Sequence, residues 1–256
     1  MTTHPAKSGN DWTAGDLAFY GVKIEYQDVQ QFFGEVPLPA PSICQGFLTA
    51  DTNNDATDRE SAVLMYYLKL ATDAPEGYKE TILPFFVMVL FDSLGYNRGF
   101  CGRCSWAALP FLNSGQVRDV SIDAALMKSQ PNCRISLVVH QDMLEGKTGE
   151  DATARLIAEA VAAFQFTNDT RRMEGLAELN GQVIPGIIMT GTLPTFFKIP
   201  ITQELARSVE SGQPTATPTL INGHVPGVLH PKDGMMPLDN RRVLLQCFEA
   251  FKRCMF

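Results

Sequence analysis

The sequence predicts an α/β fold, a single domain with a central mixed β-sheet flanked by helices. Apolar residues recur at helical spacing in several segments, and between these lie runs that alternate or are continuously apolar. The segments follow the order ααββαββα, which indicates a mixed sheet covered by helices. No internal repeat or linker interrupts the 256 residues. We therefore expect one α/β domain over 49–256, preceded by an extended arm over 1–48 that packs on the core.

The N-terminal half predicts three helices. The arm mixes aromatic residues with Pro and Gly, and one short helix is expected in it over 27–33. Asp58 can cap the first long helix, in which apolar residues recur over 62–70. Pro75 opens a second long helix with a wide apolar stripe that ends at Gly95, so this helix should be largely buried.

The next segments predict the strands of the sheet. Apolar and polar residues alternate over 120–124, which is typical of a strand. The run 135–139 is continuously apolar, as in a central strand that is buried on both faces. Two further apolar runs, over 183–190 and 195–200, are joined by a turn over 191–194 and predict a β-hairpin.

Three helices complete the prediction. The segment 148–151 can cap a helix over 152–166 that has one apolar face. Two further helices are expected over about 202–211 and 239–254.

Composition and charge exclude several function classes. With 21 Lys and Arg against 28 Asp and Glu, the formal charge is −7, so nucleic-acid binding would need a local basic patch, and none is evident. The first ten residues do not resemble a signal or transit peptide. The longest apolar run, over 82–94, is too short to span a bilayer. We expect an intracellular protein, cytoplasmic or nuclear, that does not enter the membrane.

The six cysteines and two late histidines are interpreted as ordinary residues. Cys101 and Cys104 form a C-x-x-C, which could be half a zinc site or a redox pair, but no second pair accompanies it. We interpret these two as reduced thiols in a turn. His224 and His230 lie in a segment rich in Pro and Gly, and are expected at the surface.

A pattern of carboxylates is the remaining candidate for chemistry. No G-x-S-x-G, P-loop or G-x-G-x-x-G motif is present. Glu60 lies in the first long helix, Asp123 in a strand, and His140, Gln141 and Asp142 end the next strand. Carboxylates from a helix and two adjacent strands could converge on Mg²⁺, which activates water in phosphodiester hydrolysis. The competing interpretation is that these are surface carboxylates at strand ends.

Several segments carry a family resemblance. The segments 156–165, 184–202, 233–242 and 249–252 resemble a large family of uncharacterised proteins from mushroom-forming fungi, and the likeness runs from about Trp12 to the end. That family is similar to the PD-(D/E)XK nuclease-like superfamily. The resemblance implies an αβββαβ core, a strand Asp, and a Gln-Glu-Asp-Lys sequence that ends the following strand. Its Glu and Lys would supply a metal ligand and orient the attacking water.

The chain departs from that pattern at the catalytic positions. Asp123 is kept, but Gln141 stands where the resemblance implies Glu, and Met143 where it implies Lys. A neutral amide is a poor ligand for hard Mg²⁺, and a thioether has no proton to give. On this alignment, nuclease activity should be absent or very weak. A rival alignment uses Glu145 and Lys147, four residues downstream, although Gly146 indicates a loop there.

Two helix residues bear on the same region. Arg155 and Glu159 fall on the polar face of the helix over 152–166, which in such folds borders the active-site cleft. The family usually has Gln at the position of Arg155. The alternative is a solvated i,i+4 ion pair.

Three hypotheses about function follow. In the first, the protein is a degenerate nuclease-like binding module without a cofactor, and its partner is a protein or a small molecule. In the second, the former cleft is a metal-independent enzyme for small molecules, in which Asp123, His140 and Glu60 act as acid and base, and Gln141 and Met143 shape the pocket. In the third, a residual Mg²⁺ nuclease uses Asp123 with Glu145 and Lys147.

Overall fold

A seven-stranded mixed β-sheet lies between two layers of helices, which confirms the predicted α/β fold class. The computed structural model describes residues 4–96, 101–128, 134–142 and 149–255. The strands are β1 (Val22–Tyr26), β2 (Cys101–Asn113), β3 (Gln116–Lys128), β4 (Arg134–Asp142), β5 (Gly181–Thr190), β6 (Leu193–Thr202) and β7 (Thr219–His224). The helices are α1 (Ala14–Phe19), α2 (Val29–Phe33), α3 (Arg59–Asp73), α4 (Glu76–Leu94), α5 (Gly149–Met173), α6 (Gln203–Ser211) and α7 (Leu238–Phe251).

The order of strands across the sheet is β1-β7-β6-β5-β4-β3-β2. Strands β2, β3 and β4 form an antiparallel meander, and α5 then returns the chain so that β5 lies parallel to β4. The hairpin β5–β6 and strand β7 continue antiparallel, and β1 closes the edge parallel to β7. The centre of the molecule is therefore a helix, three strands, a helix and a strand, from α4 to β5.

Two hydrophobic cores lie on the two faces of the sheet. One packs the sheet against α5, together with α1 and α6. The other packs the opposite face against α3, α4 and α7. Helix α5 approaches the sheet closely, because a Cβ atom added to Gly186 of β5 would lie 3.0 Å from a methyl carbon of Leu156. This close approach positions the helix residues that meet the strands.

The predicted cap at Asp58 and the predicted end at Gly95 are confirmed, whereas the expected cap over 148–151 is not, because α5 begins at Gly149 and Thr148 lies outside the described residues. The carboxylate of Asp58 accepts a hydrogen bond of 2.8 Å from the main-chain N–H of Ser61, which satisfies a free donor at the start of α3. Gly95 has φ of 75° and ends α4 in the left-handed conformation that glycine adopts at low cost. The predicted β5–β6 hairpin is also present. Its turn is shorter than the expected 191–194, because β6 begins at Leu193 and includes Pro194.

Several elements escaped prediction. Helix α1 and strand β1 lie within the arm, and β1 joins the sheet through β7, which was also missed. Helix α5 continues beyond 166 to Met173, and the hydroxyls of Thr167 and Thr170 donate hydrogen bonds to the carbonyls four residues before them, so these polar side chains are satisfied within the helix. The two threonines interrupt the apolar pattern of the sequence, but the helix continues through them.

Two expectations about individual residues were wrong. Cys101 and Cys104 lie in strand β2, not in a turn, because the long β2–β3 ladder extends over them. His224 is buried, with 2% of its surface exposed, because β7 is an interior strand of the sheet. Its Nδ1 atom lies 2.9 Å from the carbonyl oxygen of Gln27. His230 is exposed, as expected.

Within the described ranges, no helix is both long enough and apolar enough to cross a membrane.

Candidate functional site

Strands β3 and β4 bring Asp123 and His140 together. The two strands are antiparallel, and Ala124 pairs with Val139. Asp123 precedes Ala124 and His140 follows Val139. In an antiparallel pair these two residues are therefore opposite each other, and their side chains lie side by side. The Oδ2 atom of Asp123 accepts a hydrogen bond of 2.8 Å from the main-chain N–H of Gln141. The Asp123 carboxylate is thereby held against the end of β4.

Strand alternation separates His140 from Gln141. Val138 packs in the core under α5, and Val139 packs in the core on the opposite face. Because side chains alternate along a strand, His140 faces α5 and Gln141 faces the other core. Gln141 therefore does not share the face on which Asp123 meets His140.

A third residue completes the cluster from the helix. The Nδ1 atom of His140 lies 2.8 Å from Oε1 of Glu159 in α5, and 3.5 Å from Oδ2 of Asp123. The same ring nitrogen thus lies near two carboxylates, one from a strand and one from a helix, and the Glu159 carboxyl is the nearer. The Asp123 side chain keeps 21% of its surface exposed, His140 keeps 11% and Glu159 keeps 1%. The cluster is open to solvent at Asp123 and closed at Glu159.

Burial shifts the ionisation of Glu159. Removal from water and the nearby negative charge of Asp123 raise the pKa of Glu159 well above its ordinary value, and the positive charge of Arg155 opposes this in part. A protonated Glu159 can donate to Nδ1 of His140, and a protonated His140 can donate to an ionised Glu159. Both arrangements place one shared proton between Nδ1 of His140 and Oε1 of Glu159. The buried pair then has no net charge. The pair is therefore suited to hold a proton behind Asp123.

The expected polar face of α5 needs correction. Glu159 is fully buried, because it faces the sheet and not the solvent. Within the described part of the chain, its Oε2 atom and the Nε atom of Arg155 are both buried without a hydrogen-bond partner, so the two do not form a solvated ion pair through these atoms. Residues on both sides of Glu159 are buried alanines, Ala158 and Ala160. A lone carboxylate inside an alanine-rich segment was the sequence signal that could have identified it.

The other predicted residues lie elsewhere or outside the described residues. Glu60 is exposed in the first turn of α3, which packs on the face of the sheet opposite α5, and its charge acts on the thiol of Cys44. Asp142 is the last residue of β4, opposite Thr190 of β5. The predictions for Met143, Glu145 and Lys147 concern positions that lie outside the described residues.

The described donors do not suit Mg²⁺. This hard cation prefers several ionised oxygen ligands. Here Nδ1 of His140 lies near both carboxylates. The pKa of Glu159 is raised, which favours the neutral form of this residue. Among the described residues, no group of three or more His, Cys, Asp or Glu side chains is arranged to hold a metal ion.

Comparison of the chain with protein-family models and with curated proteins found no match.

Proposed function

We propose that this protein is a degenerate nuclease-like protein of the PD-(D/E)XK type, which has lost metal-dependent hydrolysis and serves as a binding module. The observation behind this proposal is that Nδ1 of His140 lies 2.8 Å from the Glu159 carboxyl and 3.5 Å from the Asp123 carboxylate. In an active centre of this type, a hard cation would neutralise such carboxylates. Here a proton shared by His140 and Glu159 neutralises the charge of Glu159, and the Asp123 carboxylate accepts a hydrogen bond from the main-chain N–H of Gln141.

The topology supports the nuclease-like part of the proposal. The succession of α4, the β2–β4 meander, α5 and β5 is the αβββαβ order that the resemblance implies. Asp123 lies on the second of the three strands, and the polar sequence from His140 ends the third. Fold alone does not determine activity, so the proposed loss of hydrolysis depends on the cluster.

The register supports the loss of hydrolysis. Gln141 differs in chemistry from the expected Glu, and by strand alternation it faces away from the α5 side, where His140 meets Glu159. The formal charge of −7 also opposes the approach of a polyanionic substrate. This charge favours a protein or small-molecule partner over DNA.

Metal titration and plasmid nicking test the proposal. We would titrate Mn²⁺ and Mg²⁺ calorimetrically into the wild type, Asp123→Ala and Asp119→Ala, and assay the same preparations for nicking. Asp119 is an exposed residue of the same strand and provides the matched control. We expect no binding at the cluster and no nicking in any of the three. Binding and nicking that vanish only in Asp123→Ala would overturn the proposal.

The same assay addresses the third hypothesis. If nicking occurs, Glu145→Gln and Lys147→Met would test whether those residues replace the lost Glu and Lys. Loss of nicking in both variants would establish the residual nuclease.

A second candidate function is metal-independent acid–base catalysis. The favouring observation is that the buried His140–Glu159 pair holds a proton behind a carboxylate that reaches solvent. A carboxyl and an imidazole in hydrogen-bond contact can act as a general acid and a general base. The assay is turnover of p-nitrophenyl esters and bis(p-nitrophenyl) phosphate in EDTA. Activity that is lost in His140→Gln and Glu159→Gln, and kept in Asp119→Ala, would support this function over the binding module.

A further inference from the structure

We propose that a cavity beside β1 binds a small amphipathic cation of the primary alkylammonium class. The cavity has a volume of about 630 Å³ and lies between α1, the start of α5 and strands β1, β5 and β6. This volume falls within the range of about 300–1,000 Å³ that is usual for small-molecule sites. Neither Asp123 nor Glu159 lines it, so the inference is independent of the function proposed above.

A glycine in β7 shapes one wall of the cavity. Tyr26 of β1 and Phe197 of β6 lie on either side of Gly223, which pairs with both. Their rings meet edge to face, with centroids 6.2 Å apart. A Cβ atom on Gly223 would lie 3.0 Å from the Tyr26 ring and 3.1 Å from the Phe197 ring. Because Gly223 has no side chain, the two rings can approach each other over β7. Both rings line the cavity.

The inner surface of the cavity is apolar. Leu17 of α1, Val22 and Ile24 of β1 and Ile188 of β5 line it together with Phe197. Such a surface favours a ligand with a hydrocarbon body, because each buried methylene adds about fourfold to an affinity.

Two threonine hydroxyls offer hydrogen bonds within this apolar surface. Thr190 and Thr195 both line the cavity, near the hairpin turn that joins β5 to β6. Both residues are partly exposed, and neither side chain makes a hydrogen bond within the described part of the chain. A hydroxyl oxygen can accept a hydrogen bond from an ammonium N–H. The ligand's polar group is thus expected at this end.

The charges at the cavity select a cation. Glu150, in the first turn of α5, is the one acidic residue among the described lining residues, and no Lys, Arg or His lines the cavity with it. Glu150 and Asp151 also offset the positive end of the α5 dipole, which would otherwise attract anions. The aromatic ring of Tyr26 adds a second group that attracts cations. An alkyl carboxylate of the same length meets no cationic side chain among the described lining residues.

Calorimetric titration with three ligands of equal chain length tests the inference. Decylammonium, 1-decanol and decanoate would be titrated at neutral pH, below the concentrations at which they aggregate. We expect decylammonium to bind about tenfold more tightly than decanoate, with decanol between them. Octylammonium should bind more weakly than decylammonium by about fourfold per methylene.

Two pairs of variants locate the binding. Ala18 of α1 is exposed and lines the cavity, so Ala18→Trp should fill it without entering the core and should weaken binding by about tenfold or more. Ala216→Trp changes an exposed residue outside the cavity and should bind normally. Glu150→Gln should weaken decylammonium binding by about two- to fivefold. Glu25→Gln removes an equal charge from the outward face of β1 and should have less effect.

Three outcomes would overturn the inference. These are no binding of decylammonium to the wild type, decanoate binding as tightly as decylammonium, and unchanged binding in Ala18→Trp. None of them bears on metal binding or nicking, so this inference and the proposed function can fail separately.

Discussion

The Nδ1 atom of His140 lies 2.8 Å from Oε1 of Glu159, and both side chains are buried between a strand and a helix. The two residues come from β4 and α5, which pack against each other through the core on that face of the sheet. Burial at this contact, together with the charge of Asp123, raises the pKa of Glu159.

We expect the Glu159→Gln variant to lose a pH dependence of stability that the wild type shows. The pKa of Glu159 is raised in the folded protein, whereas an unfolded Glu titrates at about 4.3. The resulting stabilisation is complete below that unfolded pKa and is lost as the pH rises through the folded pKa. Urea unfolding between pH 4 and 8 should show the free energy of unfolding of the wild type falling relative to Glu159→Gln. A constant difference between the two would contradict the raised pKa, and Glu150→Gln, on the exposed start of the same helix, is the control.

A double-mutant cycle should show strong coupling between His140 and Glu159. His140→Leu leaves a buried carboxyl without its partner and should reduce the free energy of unfolding by about 1–3 kcal/mol. Replacing both residues by Leu removes both polar groups and should cost less than the sum of the single changes. Chemical denaturation of the four proteins measures the coupling. Additive costs would show that the 2.8 Å contact contributes no stability of its own.

Arg241→Leu should be among the most destabilising single changes. The guanidinium of Arg241 is fully buried and donates to the carbonyls of Phe47, Ala50, Met235 and Met236, which ties the segment before α3 to the start of α7. Leu would leave these carbonyls without that donor, at a cost of about 3–5 kcal/mol in the free energy of unfolding.

The neighbouring arginine provides the control for that experiment. Arg242 is exposed, with its guanidinium 4.0 Å from Asp239, so Arg242→Leu should change stability by less than about 0.5 kcal/mol. Similar urea midpoints for the two variants would refute the structural role of Arg241.

Asp16→Asn should release the N-terminal segment. The buried Asp16 carboxylate accepts hydrogen bonds from Lys7, from the N–H and hydroxyl of Thr13, and lies 2.6 Å from Nε2 of His4. Burial by itself raises the pKa of Asp16, but these hydrogen bonds outweigh it and lower the pKa. The substitution should cost about 1–3 kcal/mol at neutral pH.

The pH dependence of that cost has a defined sign. Because the folded pKa of Asp16 is lowered, its stabilisation is present above the unfolded pKa of about 3.9 and is lost as the pH falls through the folded pKa. The difference between the wild type and Asp16→Asn should therefore shrink in acid. Asp11→Asn changes an exposed residue and is the control. An undiminished difference at the lowest pH would contradict the lowered pKa.

Local signals in the sequence were sufficient for the elements they determine. The Asp58 cap, the glycine that ends α4, the buried strand around Val138 and the β5–β6 hairpin follow from hydrogen bonding, backbone freedom and apolar period, which act over a few residues. The same reasoning placed Asp123 and His140 on neighbouring strands.

Only the tertiary structure decided what lies between those strands and the helix. Glu159 is assigned to the site because α5 packs across β4, and Gln141 is turned from it because the β3–β4 register sets the alternation of the strand. Strand β1 joins the sheet through β7, a partner almost two hundred residues away, and so has no local signal. Burial then gives Glu159 its raised pKa. The sequence by itself determined the elements and the chemistry available to them, whereas contacts between distant segments determined which groups meet and in which ionisation state.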